Sequence, residues 1–334
     1  MAEQHEPGSY LKATLESQPA ELKRLLDDDS AARAAARLRG SHRIFLVGTG
    51  TSHHGALVGQ FILRSAGLDA WAVRAFEFAK YPPAMRADDG LILLSHRGSK
   101  RFSKDALEGF GAMSEHWIAI TGEGSAMEGD GVIRTVVQEK SPVHTASHTG
   151  AMVRIAQIAA EVGDAAWKGQ LAGIPHEVQR AVDLGDSIAA EVKEVEFRPV
   201  THFVGGGPAR ATALEGALKL REATHLVNAE GHDVEGVLHG PLISIQPGTP
   251  VVLVNQAGPS QARMAEVEAG LREIGATVLA FSPASELSEV LAPIVNVVPL
   301  QWLAYHLSRK LGVDADSFRR DEPKYAAAQS KFTL

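Results

Sequence analysis

The sequence predicts an α/β protein of two tandem domains, each a parallel sheet flanked by helices. The first observation is that short apolar runs alternate with stretches whose apolar residues follow helical spacing, the pattern of a parallel sheet covered by helices. The second is that the order of strand, glycine loop and helix recurs about 155 residues later, between Gly50 and Gly205. This recurrence indicates internal duplication, and 334 residues are enough for two domains.

The first half of the chain contains four short apolar runs, each of which predicts a buried strand. They are Arg43–Gly48, Leu68–Val73, Gly90–Ser95 and His116–Thr121. Other stretches of this half carry apolar residues at helical spacing or are rich in Ala, Leu and Arg. They predict helices at Ala20–Arg39, Ala56–Ala66, Lys104–Ser114 and Gly150–Val162.

The second half repeats this order. Strands are predicted at Val200–Gly205, Pro250–Asn255 and Thr277–Ser282, the first followed by a glycine loop and a helix. Apolar spacing over Pro175–Val192 predicts a linker helix between the halves. We therefore divide the chain into an N-terminal helical segment (1–40), a first domain (41–172), a linker helix (173–196), a second domain (197–314) and a C-terminal tail (315–334).

Composition excludes several classes of function. The net charge of −7 disfavours a nucleic-acid partner, because binding to a phosphate backbone needs a basic face. The absence of cysteine excludes disulfides, thiolate metal sites and a cysteine nucleophile. No apolar run approaches the roughly 20 residues that cross a membrane, and the polar, acidic N-terminus shows no secretory signal. We expect a protein of the cytoplasm with no membrane partner.

Ligands of doubly wound folds bind outside the carboxyl ends of the strands, so the loops there are the candidate sites. After the first strand come Gly50, Thr51 and Ser52, where small residues admit a ligand closely and hydroxyls at a helix N-terminus donate to anions. Helix capping by either hydroxyl explains the pattern equally well. A dinucleotide fingerprint is excluded, because His53 and Arg210 stand where its third glycine belongs.

The loop after the third strand is the best candidate for binding a phosphate. It combines hydroxyls, a glycine and cationic side chains just before a helix, as phosphate sites do. A solvated basic loop is the alternative, but such a local cluster in an acidic chain favours phosphate. The candidate ligands are Ser95, His96, Arg97, Ser99 and Lys100. Ser147, near the start of a later helix, could add a hydroxyl, although capping that helix is the simpler explanation.

Glu215, Lys219 and Glu222 share one face of the helix predicted after the second glycine loop. They form either a solvent-facing ion-pair stripe or a carboxylate base beside a lysine at a pocket wall, and the spacing leaves both open. His239 closes a segment that is rich in His and Glu. No metal-binding motif such as HExxH occurs, so we expect no metal.

Two segments together are specific for one family. The run Ala213–Glu222 (ALEGALKLRE), followed by His239-Gly240-Pro241-Leu242, resembles the isomerase half of glucosamine-6-phosphate synthase, a member of the double sugar-isomerase (SIS) domain family. Gly50-Thr51-Ser52 and Val298-Pro299-Leu300-Gln301 resemble it too, and the resemblance covers roughly residues 40–320. It implies two flavodoxin-like SIS domains, a homodimer and a phosphosugar ligand, with no cofactor.

The resemblance also implies roles for single residues. Glu222 matches the carboxylate that moves a proton between C1 and C2 of the open-chain sugar, and Lys219 matches the lysine that contacts sugar hydroxyls. His239 matches the histidine that opens the ring, which in the family can come from the neighbouring subunit. The serines that match the phosphate loop and the contacts near the sugar are Ser95, Ser52 and Ser147.

The sequence departs from the family pattern in three places. Arg97 stands where the phosphate loop usually has its second serine, and Lys100 where it has a threonine. Ala328 stands where the synthase tail has a lysine that assists imine chemistry, and Lys324 and Lys331 are out of register. The glutaminase domain of the synthase has no counterpart here, and without a cysteine we expect no release of ammonia from glutamine.

These observations predict a phosphosugar isomerase or deaminase that acts on an aminosugar phosphate. The expected reaction converts glucosamine 6-phosphate to fructose 6-phosphate and ammonia, or the reverse, by proton transfer through Glu222 after His239 opens the ring. A fructosamine-6-phosphate deglycase is an alternative that the altered phosphate loop and tail keep open. A non-catalytic phosphosugar sensor is the alternative of another class.

Overall fold

The computed structural model describes residues 5–197, 200–284 and 286–332, which divide into two compact units. Residues 18–139, 146–175 and 328–332 form the N-terminal unit. Residues 5–17, 140–145 and the described part of 176–327 form the C-terminal unit. Residues 140–145, which the sequence assigned to the first domain, therefore group with the C-terminal unit.

Strands and helices alternate along most of the described chain. The strands are β1 Ile44–Gly48, β2 Ala70–Arg74, β3 Gly90–Leu94, β4 Trp117–Glu123, β5 Val132–Val137, β6 Val200–Gly205, β7 Asn228–Asp233, β8 Pro250–Val254 and β9 Thr277–Phe281. The helices are α1 Ser9–Asp27, α2 Ser30–Ala35, α3 Thr51–Ser65, α4 Ala75–Lys80, α5 Arg101–Gly111, α6 Ala146–Val162, α7 Ile174–Val182, α8 Gly185–Glu194, α9 Ala209–Thr224, α10 Pro241–Ser244, α11 Gln261–Ile274, α12 Pro293–Lys310 and α13 Pro323–Gln329. In the described part of the chain, no helix is long and apolar enough to cross a membrane.

The sheet of the N-terminal unit is parallel and has the strand order β2-β1-β3-β4-β5. Every residue of β1 and β3 is buried, because helices cover both faces of a parallel sheet. The chain adds β2 on one side of β1 and β3 on the other, which creates a topological switch point between β1 and β3. A ligand is expected at the carboxyl ends of these two strands.

Close packing of α3 onto this sheet depends on Gly59. A Cβ atom at Gly59 would lie 2.6 Å from a methyl group of Leu46 on β1 and 2.8 Å from a methyl group of Ile155 on α6. No real Cβ makes contacts this short, so a larger residue would push α3 away from β1 and α6. The glycine therefore fixes the start of α3 close to the end of β1.

The sheet of the C-terminal unit is also parallel, with the order β7-β6-β8-β9. This is the order of the first four strands of the other sheet. Helix α9 packs tightly between this sheet and α12, since a Cβ atom at Gly216 would lie 2.6 Å from Leu300 and 3.0 Å from Phe203. Most of α12 is buried as well, so one face of α9 is covered by another helix.

The predicted fold class is confirmed: two parallel α/β sheets are present, and seven predicted strands correspond to β1–β4, β6, β8 and β9. The sequence analysis missed β5 and the edge strand β7, whose residues Asn228–Asp233 are mostly polar. The single helix predicted over Ala20–Arg39 is the end of α1 followed by α2 and a short 3₁₀ turn. The single linker helix predicted over Pro175–Val192 is two helices, α7 and α8, which break at residues 183–184.

Candidate functional site

The switch point of the N-terminal unit begins with the glycine loop after β1. Gly48 must be a glycine, because a Cβ there would lie 2.5 Å from the backbone carbon of Ser52. Gly50 has a φ of 57° and occupies the N-cap position of α3, where it has no side chain to cap the helix. Thr51 and Ser52 lie in the first helical turn, where their hydroxyls are half-buried. They are therefore not the N-cap residues of α3.

The loop of residues 95–100, which we call the basic loop, follows β3 on the other side of the switch point. It turns tightly: the Gly98 N–H donates to the Ser95 carbonyl at 3.0 Å, and the φ of Gly98 is 68°. A Cβ atom at Gly98 would lie 2.1 Å from the hydroxyl of Ser125, so only glycine fits. The turn leaves Arg97 and Ser99 exposed just before α5 begins at Arg101.

The hydroxyl of Ser95 is buried at the start of the basic loop. The residue is only 4% exposed, and its Oγ has no hydrogen-bond partner among the described residues. A buried hydroxyl without a partner loses its hydration and gains nothing in exchange, which costs about 1–3 kcal/mol. An oxygen of a bound ligand would supply the missing partner.

His96 differs from the expectation that it binds phosphate. Burial, and then the charge of Arg97, lowers the pKa of His96 to about 4, so its imidazole is neutral at neutral pH. Its Nε2 accepts a hydrogen bond from the backbone N–H of Glu139 at 3.2 Å. The imidazole therefore holds the loop against the end of β5, and the positive charge near the loop comes from Arg97, Lys100 and Arg101.

Sequence reasoning missed Glu139, a buried carboxylate next to this loop. Its Oε1 accepts the backbone N–H of Ser147 at 2.8 Å and so caps the start of α6. Ser147 is buried in the first turn of α6. The next residue, His148, lies against α3, since its ring Nδ1 would be 3.6 Å from a Cβ at Gly55. The first turns of α3 and α6, which carry Ser52 and Ser147, therefore lie close together.

In the C-terminal unit, α9 carries a buried cluster of opposite charges. The Nζ of Lys219 lies 2.5 Å from Oε2 of Glu222 and 3.4 Å from Oε1 of Glu215. The side chains of Glu215 and Lys219 are 0% and 1% exposed, and that of Glu222 is 19% exposed. A solvent-facing stripe is therefore ruled out. Buried charges persist only when they are paired, and Glu222 is the carboxylate of the three that remains accessible.

His239 lies at the surface of its unit. Its side chain is 80% exposed, and its Nε2 is 3.9 Å from a carboxylate oxygen of Glu235. It follows a 3₁₀ turn and precedes Gly240, whose φ of 131° is unfavourable for any other residue. The apolar side chain of Ile243, four residues later, is also exposed.

At the switch point of the C-terminal unit, between β6 and β8, two glycines pack closely against other parts of the chain. A Cβ atom at Gly206 would lie 2.4 Å from the Cβ of Ser260, and one at Gly258 would lie 2.5 Å from the carboxylate carbon of Glu289. Glu289 also accepts a hydrogen bond from Gln256 at 3.3 Å. The loop of residues 255–260 has no cationic side chain, so this crevice is unsuited to a phosphate.

Part of the chain matches a known protein family, and most of it is similar to known proteins. Residues 37–160 match the SIS domain family. A glutamine–fructose-6-phosphate aminotransferase (isomerizing) of Methanothermobacter thermautotrophicus is 28% identical over 339 residues, which cover 94% of this chain and 57% of that protein. The chain spans about half the length of the curated relatives it matches.

Two solved structures have the same fold as this chain. The C-terminal domain of glucosamine-fructose-6-phosphate aminotransferase from Francisella tularensis superposes with a TM-score of 0.82 at 20% identity, covering 92% of this chain and 98% of that one. Glucosamine-6-phosphate deaminase from Thermotoga maritima superposes with a TM-score of 0.80 at 21% identity, covering 92% and 97%. Residues 37–160 therefore match the SIS domain family, and the described chain shares the fold of these two structures.

Proposed function

We propose that the protein is a cytoplasmic phosphosugar isomerase or deaminase that converts glucosamine 6-phosphate to fructose 6-phosphate and ammonia, or catalyses the reverse reaction. The observation that carries this proposal is the pairing of Glu222 with Lys219 on α9, which leaves the carboxylate of Glu222 partly open beside a buried cation. A positioned carboxylate of this kind can act as a general base, and proton transfer of this type accelerates reactions by about 10²–10⁴-fold.

The chemistry uses one base, one ring-opening group and water. His239 moves a proton from the C1 hydroxyl toward the ring oxygen, which gives the open-chain aldehyde. Glu222 removes the C2 proton and returns it to C1, while one proton passes from the amine nitrogen to the C1 oxygen. The C2 amine thereby becomes a C2 imine and C1 a primary alcohol. Water adds to the imine and ammonia leaves, which gives the C2 ketone of fructose 6-phosphate. One water is consumed and no electron is gained or lost, so the chemistry needs no cofactor.

The basic loop supports a phosphate-bearing substrate. Arg97 and Lys100 supply charge, the N-terminus of α5 supplies backbone N–H groups, and Ser95 supplies a buried hydroxyl without a partner in the described chain. The printed names of the relatives agree in substrate type, since they act on fructose 6-phosphate or glucosamine 6-phosphate. The glutamine-dependent part of the aminotransferase reaction is not included, because this chain spans about half of those proteins.

The first experiment is to incubate the purified protein with glucosamine 6-phosphate and to measure ammonia and fructose 6-phosphate together. Equal amounts of both products, lost together in Glu222→Gln, are the expected result. Binding of the sugar phosphate without either product would contradict deamination. The next substrates to test would then be fructosamine 6-phosphates, and a protein that binds the phosphosugar but acts on neither substrate would favour the sensor alternative.

The exposure of His239 supports a homodimer in which this histidine serves the neighbouring subunit. Mixing inactive Glu222→Gln and His239→Asn proteins tests this arrangement. A mixed dimer would then contain one site with both native residues, so about a quarter of the wild-type activity should return after random exchange. If each subunit uses its own His239, every site in the mixture has a defect and no activity returns.

A deglycase acting on fructosamine 6-phosphates is a second candidate, favoured by the charge of the basic loop. Arg97 and Lys100 replace hydroxyl residues of the family pattern and could pair with a second acidic group, such as the carboxylate of a sugar-bound amino acid. The expected result for a deglycase is release of a free amino acid from such an adduct at a higher kcat/KM than release of ammonia from glucosamine 6-phosphate. A lower value would support the deaminase.

A further inference from the structure

Two histidines and a glutamate lie together on the sheet of the C-terminal unit. His202 is on β6, and Glu230 and His232 are on β7. His202 pairs with Glu230 in the strand register, and His232 is two residues further along β7, so all three side chains point to one face of the sheet. The potential ligand atoms of these residues all lie within 4.8 Å of one another.

The two imidazoles are already in direct contact. Nδ1 of His202 is 3.0 Å from Nε2 of His232, and that Nε2 is 3.7 Å from a carboxylate oxygen of Glu230. Two nitrogens at this separation can both lie about 2.0–2.1 Å from a single point between them, which is the usual Zn–N distance. A divalent ion can therefore take the place of the proton that the two rings share.

The burial of the three residues also suits a metal ion. His202 is 4% exposed and the side chain of His232 is mostly buried, while Glu230 is half-exposed. The open side at Glu230 leaves room for a water molecule as a further ligand.

We propose that His202, Glu230 and His232 bind one divalent transition-metal ion of the Zn²⁺ type. Two imidazoles and a carboxylate form a ligand set that prefers Zn²⁺, Co²⁺ or Ni²⁺ over Mg²⁺ or Ca²⁺. The ion links the edge strand β7 to β6 and so stabilises the start of the segment that leads to His239. This site is independent of the proposed function, which uses none of the three residues.

A second group of possible metal ligands is less suited to bind a metal ion than the group on β6 and β7. His5 lies near Asp314 and Asp316 in the same unit, but it supplies the only imidazole of that group. The carboxylate of Asp316 already accepts the backbone N–H groups of Tyr10 and Leu11 at 2.9 and 3.1 Å. Asp314 likewise accepts the backbone N–H of Gly8 at 2.9 Å. Those carboxylates cap the start of α1, and we infer no metal there.

The test uses the full chain without an affinity tag, stripped with a chelator and titrated with Co²⁺, whose visible absorption reports four-coordinate binding. We expect one Co²⁺ per chain, displaced by Zn²⁺ and not by Mg²⁺. His232→Gln should abolish binding, and Glu230→Gln should weaken it at least about tenfold, the lower limit even for outer-sphere partners. His176→Gln is the matched control, because His176 also lies 3.3 Å from a carboxylate but has no second imidazole beside it.

Thermal unfolding gives a second readout that does not depend on activity. Zn²⁺ should raise the Tm of the wild-type protein and of His176→Gln by several degrees, and should leave the Tm of His232→Gln unchanged. A wild-type protein that binds no stoichiometric Co²⁺, or a His232→Gln protein that binds it as well as wild type, overturns the site. If His232→Gln fails to fold in the chelator, Co²⁺ binding by Glu230→Gln becomes the deciding measurement, because this half-exposed position tolerates the change. Undiminished Co²⁺ binding by Glu230→Gln would also overturn the site.

Discussion

The crevice between β1 and β3 in the N-terminal unit and the crevice between β6 and β8 in the C-terminal unit lie at the same point of two sheets with the same strand order. The first is bordered by the basic loop and contains the buried hydroxyl of Ser95, which has no partner in the described chain. In the second, Ser260 and the carboxylate of Glu289 pack against Gly206 and Gly258. The two crevices therefore differ in the groups they present to an anion: cationic and hydroxyl side chains in the first, and a carboxylate in the second.

The two units share a fold but carry different charged side chains. Among the described residues of the C-terminal unit, a carboxylate lies at the switch point, and Lys219 and Glu222 lie on a largely buried face of α9. The N-terminal unit has its own buried cation, Arg154 on α6, which bonds to backbone carbonyls and to Asp28. Fold alone does not assign these roles, which depend on the side chains that each copy presents.

The largest effect is expected at Glu222. Glu222→Gln keeps the size of the side chain and removes the base, so kcat should fall by about 10³-fold while the phosphosugar still binds. Steady-state kinetics and calorimetric binding of fructose 6-phosphate measure the two quantities. Glu266→Gln, on the exposed side of α11, is the control and should change neither. A kcat within tenfold of wild type would contradict the proposal that the C-terminal unit supplies the catalytic base through Glu222.

The second largest effect is a loss of substrate affinity, expected for changes in the basic loop. Arg97→Ala combined with Lys100→Ala removes two exposed charges that we assign to the phosphate, together worth about 1.5–3 kcal/mol, so Kd should rise by about 10–150-fold. The kcat at saturating substrate should change much less. Glu289→Gln in the opposite crevice serves as the control, with unchanged affinity. An equal loss of affinity in the double variant and in Glu289→Gln would contradict the proposal that only the crevice of the N-terminal unit binds the phosphate.

A smaller effect is expected for Ser95→Ala. Loss of one hydroxyl contact should weaken phosphosugar binding about fivefold, the equivalent of about 1 kcal/mol. The Tm should stay the same or rise, because the mutation removes a buried hydroxyl that has no partner within the described chain. Calorimetry and thermal unfolding measure the two properties. A fall in Tm with unchanged affinity would make Ser95 a structural residue.

The smallest effect on activity is expected at Asp28, which forms an ion pair with the buried Arg154. Burial opposes ionisation of Asp28, but hydrogen bonds from Ser30 and Arg154 lower its pKa from 3.8 to about 2. Its contribution to stability is therefore complete above pH 3.8 and is lost as the pH falls toward 2. Asp28→Asn should flatten acid unfolding in this window, followed by circular dichroism, and leave kcat unchanged at neutral pH. A steep fall in kcat would contradict a purely structural role.

The strands could be predicted from the sequence because most of them are buried apolar runs. Strand β6 occupies the predicted residues Val200–Gly205, and β8 ends one residue before the predicted end. Strand β7 could not be predicted, because an edge strand with the sequence NAEGHD lacks the apolar pattern of a buried strand. The break at residues 183–184 was missed since apolar spacing continues through it.

The site was predicted in part. The basic loop and the glycine loop were located because both follow apolar strands, and strand ends are where ligands of this fold bind. The burial of Glu215 and Lys219 could not be predicted, since it depends on the tertiary packing of α9, which helical spacing does not reveal. The neutral state of His96 was missed for the same reason: it follows from packing near Glu139, more than 40 residues away.

The most direct test follows hydrogen exchange at C1 of fructose 6-phosphate, with ammonium present, by NMR in D₂O. The account predicts that the wild-type protein replaces one C1 hydrogen by deuterium and that Glu222→Gln does not. It also predicts that the Arg97→Ala, Lys100→Ala protein still exchanges this hydrogen when the sugar phosphate is saturating. Exchange by Glu222→Gln at the wild-type rate, or no exchange by a wild-type protein that binds the sugar phosphate, would contradict it.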